Sequence, residues 1–240
     1  AAEYPAVRCG ARRVCLVTTG MGHANAAASI TALLFSRQFD LRRTWWVVTG
    51  IGGINPHAGT LGSAAWADWL VSFGLQWELD ARERPAGWPS GYTGLFTQSP
   101  AEKPSLGYGT ELYRLDPRLV ERAYGLSRHV RLADGDAARK ARALYPPPAS
   151  RPPTVIRCDT ASGDTWFSGR YLGERAEAWT RLLTDGQGRY CTTQQEDNAT
   201  FAALVRGDAA GLVEGQVDIG GMPAYRAVKE GKDKLPTVLV

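Results

Sequence analysis

Histidine, cysteine and lysine are all scarce in this chain, and each scarcity closes off a class of function. The three histidines, His23, His57 and His129, stand far apart, and the four cysteines, Cys9, Cys15, Cys158 and Cys191, form neither a CxxC pair nor zinc-ligand spacing, so no metal site is expected. Only five of the 28 basic residues are lysine, the arginines are spread along the chain, and the net charge is +4. Without a basic stripe, no nucleic-acid partner is expected. No uninterrupted apolar run crosses a membrane either. Residues 14–36 and 44–67 lack Lys, Arg, Asp and Glu, but glycines and polar groups such as Thr18-Thr19-Gly20 and Gly52-Gly53-Ile54-Asn55-Pro56 break both, and hydrocarbon would leave those groups unsatisfied. A soluble protein is expected, and the first residues, Ala1-Ala2-Glu3-Tyr4-Pro5, do not read as a signal peptide, although a mature chain would have lost one.

What is present suits one α/β domain over residues 1–240, with 44% hydrophobic residues to fill its core. Residues 14–17 read as a short buried strand ending at Thr18-Thr19-Gly20-Met21-Gly22, and the Ala- and Leu-rich residues 24–35 as a helix. Residues 45–48 repeat the pattern as a second buried strand, followed by Thr49-Gly50-Ile51-Gly52-Gly53. Such strand–glycine–helix turns present backbone N–H groups to an anion or a sugar hydroxyl, or simply let a helix pack closely on a sheet. Residues 64–77 read as long strands with tryptophans on one face. Residues 82–108, rich in proline, read as a long surface excursion. Helices are expected from Asp116-Pro117 to about 127, from Asp134 or Asp136 to 144, and over 171–184.

A third strand, 154–158, hands over to the polar turn Asp159-Thr160-Ala161-Ser162-Gly163-Asp164-Thr165-Trp166-Phe167, where the adjacent aromatics either stack on a planar ring or plug the core. The most informative stretch is Tyr190-Cys191-Thr192-Thr193-Gln194-Gln195-Glu196-Asp197-Asn198, a short β-prone segment running into a helix over 199–206. Its polar residues read in two ways: a solvated turn with Asp197 or Asn198 as helix cap, or hydrogen-bonding groups aimed at a polyhydroxylated ligand such as a sugar. Residues 223–229 read as a last helix.

Taken together, the turns at Gly20-Met21-Gly22, Gly50-Ile51-Gly52-Gly53, Ser162-Gly163-Asp164-Thr165-Trp166 and Gln194-Gln195-Glu196 resemble the purine nucleoside permeases, a family that looks like a distant branch of the nucleoside phosphorylase and nucleosidase superfamily. The resemblance runs from about Glu3 to Arg206. It implies a three-layer α/β/α fold with a mixed central sheet, a purine nucleoside as ligand, and cleavage of the N-glycosidic bond by water or phosphate; the alternative is nucleoside binding in support of uptake, without chemistry. It places Glu196 on the ribose, with Gln195 in place of the usual methionine, and Trp166 on the base. Phe167, Gln194, Asp164 and Asn198 join the substrate side. Gly20, Met21, Gly22, Gly50, Ile51 and Gly52 fall in the loops around phosphate or the attacking water.

Ile51 departs from the hydroxyl residue with which phosphorylases hold phosphate, which favours water, although phosphate stays open as a co-substrate; no other cofactor is expected. The superfamily's base-protonating aspartate has no convincing match. Asp218 is nearest by order, in surroundings that differ, and the extra strand that family members carry upstream of Glu3 is likewise not found. The resemblance also implies a homo-oligomer. Cys158 and Cys191, each a few residues before a site turn, are expected close enough for a disulfide, which would suit an exported or periplasmic protein.

Overall fold

The computed structural model describes residues 6–213 together with the backbone of Val238–Leu239. In chain order the elements are β1 (Arg8–Cys9), β2 (Cys15–Leu16), α1 (His23–Phe35), β3 (Trp46–Val47), β4 (Gly53–Ile54), β5 (Ala64–Trp66), β6 (Trp69–Ser72), β7 (Trp77–Glu78), β8 (Tyr92–Thr93), β9 (Leu112–Arg114), α2 (Pro117–Ser127), α3 (Asp136–Arg142), β10 (Val155–Arg157), β11 (Asp159–Ser162), α4 (Arg170–Leu183), β12 (Tyr190–Gln194), α5 (Asp197–Ala209) and β13 (Val238–Leu239).

Five strands form a mixed sheet in the order β4-β12-β11-β6-β9. The inner strands β12, β11 and β6 are parallel, and the outer strands β4 and β9 are antiparallel to their neighbours. The parallel trio therefore ends on one edge of the sheet, where ligands gather in α/β proteins. Side-chain alternation along β6 divides the core. Leu70 faces α1 and α5, in a cluster with Ile30, Leu34, Tyr113, Phe201 and Leu204; Trp69 and Val71 face α4, with Phe73, Ala176, Trp179 and Leu183. Helices thus cover both faces, the three-layer arrangement expected. Close approach of α1 and α5 depends on Gly207, where an added Cβ would stand 2.8 Å from Leu34 Cδ1.

Residues 155–162 form one nearly continuous strand whose partners shift. Its first half pairs with β5, its second with β6, and its register against β12 shifts between Asp159 and Thr160. The buried Asp159 accounts for both irregularities, because its carboxylate accepts the backbone N–H groups of Asp68 (3.1 Å), Trp69 (2.8 Å) and Arg189 that the ladders leave over. Beside it, Cys158 and Cys191 form a disulfide with Cα atoms 5.7 Å apart, as their positions suggest, and a second disulfide joins Cys9 to Cys15.

The structure corrects several strand expectations. Among the described residues the 14–17 and 45–48 segments are not buried: β2 pairs only with β1, β3 only with β13, and Val14, Leu16, Trp45 and Val47 are exposed. The long strands of 64–77 are three short ones, and their tryptophans diverge, Trp66 toward α2, where its Nε1 donates to Ser127 Oγ at 2.8 Å, Trp69 toward α4, and Trp77 to the surface. The polar segment 159–162 is a fully buried strand, not part of a turn. Its Thr160 and Ser162 hydroxyls are accommodated there because each has a side-chain partner on α5. Helices agree more closely: α2 begins at Pro117, with the Asp116 carboxylate accepting Arg118 N–H at 2.8 Å. The expected helix over 223–229 lies outside the described residues. Among those described, no helix is long and apolar enough to cross a membrane.

Candidate functional site

At the edge where β6, β11 and β12 end, Phe73 N–H donates to Ser162 O (2.7 Å) and Gly163 N–H to Gln194 O (3.1 Å), so the three strand ends are laced together before their loops depart. The N-terminus of α1 meets them. Gly22 N–H donates to Glu196 Oε1 at 3.0 Å, and His23 N–H to Asp164 Oδ1 at 2.7 Å. Two carboxylates, one from each loop, thus satisfy N–H groups that the first turn of the helix cannot pair. Gly22 adopts φ 91°, and a Cβ there would come within 3.0 Å of Asp164 Oδ1, so both backbone and space call for glycine. Gln195 adds a bond from Nε2 to Asp164 O at 3.3 Å.

The second glycine loop reaches the same edge from β4. A Cβ on Gly50 would stand 2.6 Å from Gln194 Oε1, and one on Gly52 3.0 Å from Thr193 O. Gly20-Met21-Gly22, Gly50-Ile51-Gly52, Asp164, Gln194, Gln195 and Glu196 therefore share one neighbourhood. Met21 and Ile51 project outward, Ile51 being 100% exposed.

Asn198 and Phe167 are engaged elsewhere. Asn198 is 3% exposed and sits between sheet and helix, with its Oδ1 bonded by Ser162 Oγ at 2.6 Å and its Nδ2 donating to Thr110 O at 3.0 Å. Phe167 stacks on Phe73, ring centroids 4.2 Å apart, while Trp166 is 75% exposed. Asp218 lies outside the described residues.

A cavity of about 470 Å³ opens on the α4 side, lined by Ile54, Leu61, Phe167, Tyr190 and Thr193 among others; neither Trp166 nor Glu196 lines it. At one end, Glu177 Oε1 accepts from Asn55 Nδ2 at 2.6 Å and lies 3.1 Å from His57 Nδ1, while His57 N–H donates to Asn55 Oδ1 at 3.0 Å. Sequence reasoning misses this carboxylate–imidazole pair, because its members are 120 residues apart and neither belongs to a recognisable motif. The Asn55-Pro56-His57 turn following a glycine-rich loop is the available signal.

Two buried carboxylates are strongly perturbed. Asp197, 1% exposed, is pushed up to about 7, foremost by burial and then by the neighbouring Glu196 charge, against the hydroxyl of Thr160. Burial likewise pushes Asp159 up to about 6, against the pull of its three N–H donors.

The model of the family described as purine nucleoside permease matches residues 1–217. The chain belongs to the purine nucleoside permease family. It is 40% identical over 220 residues to a probable purine nucleoside permease of Schizosaccharomyces pombe, covering 88% of this chain and 63% of that one. It is 36% identical over 217 residues to the purine nucleoside permease of Candida albicans, covering 88% of this chain and 53% of that one. The chain thus spans less than two thirds of these family members' length. Among solved structures it is similar to a 5'-methylthioadenosine/S-adenosylhomocysteine nucleosidase from Helicobacter pylori, at 11% identity and a TM-score of 0.46, over 97% of this chain and 68% of that one. A nucleosidase of the same kind from Colwellia psychrerythraea gives 14% identity and a TM-score of 0.42, over 94% and 63%.

Proposed function

We propose that this protein binds purine nucleosides at the α1–β11–β12 edge and cleaves their N-glycosidic bond. The observation that carries the reading is the convergence of the first glycine loop on Glu196 and Asp164, with the second glycine loop packed against the adjoining Thr193 and Gln194. Each Glu196 oxygen accepts one backbone N–H, from Gly22 at 3.0 Å and Gln195 at 3.3 Å, and keeps lone-pair capacity for ribose hydroxyls. As the bond from sugar to base breaks, its electron pair leaves with the base and positive charge grows on the pentose, which a carboxylate fixed beside it stabilises. The oxygen of water or phosphate, seated among the N–H groups of the glycine loops, then bonds to the anomeric carbon, a water giving up one proton to solvent as it does so, and a donor protonates the departing base. The exposed Trp166 is free to close over that base.

A binding protein without turnover is the second reading, favoured by the permease names of the family members and by Ile51, which offers phosphate no hydroxyl. Incubation with inosine, adenosine and guanosine, with and without phosphate, separates the two. Release of free base supports the enzyme; saturable binding without release supports the binder. Neither binding nor release with any nucleoside would reject both.

A further inference from the structure

We propose that Asp197 is a positioning residue that sets how firmly Glu196 is held against the start of α1, and that it does so through a side-chain latch between α5 and β11. The inference rests on the reading of Glu196 given above. Thr160 and Ser162, two residues apart on β11, face the same side and engage consecutive residues in the first turn of α5: Thr160 Oγ1 donates to Asp197 Oδ2, and Ser162 Oγ donates to Asn198 Oδ1 at 2.6 Å. Asn198 continues the connection to Thr110 O on the segment leading into β9. This double latch fixes the turn of which Glu196 is the N-cap residue, and Glu196 in turn accepts the Gly22 N–H. A path of hydrogen bonds and one peptide link therefore runs from the middle of the sheet to the first glycine loop.

Asp197 is the sensitive member of that path. Its Oδ1 is buried and has no hydrogen-bond partner among the described residues, an arrangement that suits a neutral carboxyl better than a carboxylate. Charging it places a second negative charge beside Glu196, on the adjacent residue. Among the described residues, nothing packed against it supplies a compensating cation. From β11 the facing group is Thr160, which does not titrate, and Asp159 beside it is turned to the N–H groups of Asp68, Trp69 and Arg189. β6 carries no charged residue, and Arg114 of β9 lies over the Trp69 ring on the opposite face. On α1, His23 is paired with Asp164. Loss of the Asp197 proton is thus expected to push Glu196 off Gly22, and retention to keep it seated.

The test compares the full chain with Asp197→Asn, which preserves shape and cannot ionise, and with Thr160→Val, which removes the latch donor. The Gly22 amide resonance is followed from pH 5 to 9, alongside binding of inosine and release of hypoxanthine. In the unaltered protein the Gly22 resonance should move with a midpoint near neutrality, and in Asp197→Asn the movement should vanish. Inosine affinity should follow the same profile in the first and be flat in the second, with a change of roughly threefold or more across the range. Thr160→Val should weaken inosine binding at every pH. An unchanged Gly22 titration in Asp197→Asn overturns the proposal, whether or not nucleosides bind. Absence of nucleoside binding in a protein whose Gly22 resonance responds as described overturns the nucleoside reading instead and leaves the latch standing.

Discussion

At the scale of single residues, the proposed site assigns Glu196 to the sugar and Trp166 to the base, and their substitutions should fail differently. Glu196→Gln keeps the acceptor for Gly22 N–H but loses the charge that meets a developing cation, so base release should fall by about 100-fold or more while inosine affinity changes little. Trp166→Ala removes an exposed ring, so stability should hold within roughly 0.5 kcal/mol while affinity drops; titration calorimetry and thermal melting read the two effects separately. Glu196 is legible in the sequence because a carboxylate at a strand end, followed by a helix and preceded by amides, is an unusual surface to leave bare. The depth of Asp197 and Asn198 is not legible there. Whether a polar residue after a strand faces solvent or the sheet depends on the hydroxyls of Thr160 and Ser162, more than thirty residues away.

Among the elements, helices declare themselves better than strands. Pro117 after Asp116, and the apolar spacing of α4, are local signals that tertiary packing has no reason to override. Strand burial is a property of the partner. The apolar residues of β2 and β3 end on small two-stranded ladders, while polar β11 lies at the centre of the sheet between β6 and β12. That centre makes Asp159 a structural residue: Asp159→Ala would strand three backbone N–H groups at two register shifts, and urea unfolding should report a loss of about 3 kcal/mol. Trp179, fully buried and donating from Nε1 to Ser72 O at 2.9 Å, joins α4 to β6. Trp179→Ala should cost about 4 kcal/mol by the same measurement.

For the molecule as a whole, the two perturbed aspartates give stability a definite slope with pH. Both are raised in the fold, Asp159 to about 6 and Asp197 to about 7, from an ordinary value of 3.8. Between roughly pH 4 and 7 the folded chain therefore binds more protons than the unfolded chain, so these groups make stability fall as pH rises through that window, by roughly 1.4 kcal/mol per unit for each group while the difference is complete. Denaturant midpoints at pH 5, 6, 7 and 8 should show the decline, and Asp197→Asn should flatten its upper half. The Cys158–Cys191 bond ties the strand that precedes Asp164 to the strand that precedes Glu196, so both halves of the candidate site hang from one covalent rung. Material produced in a reducing host would have those halves held by the β11–β12 ladder and side-chain packing alone. Silence in a nucleoside assay then means little until free thiols have been counted, and oxidised and reduced samples of one preparation should be compared before any substrate is discarded.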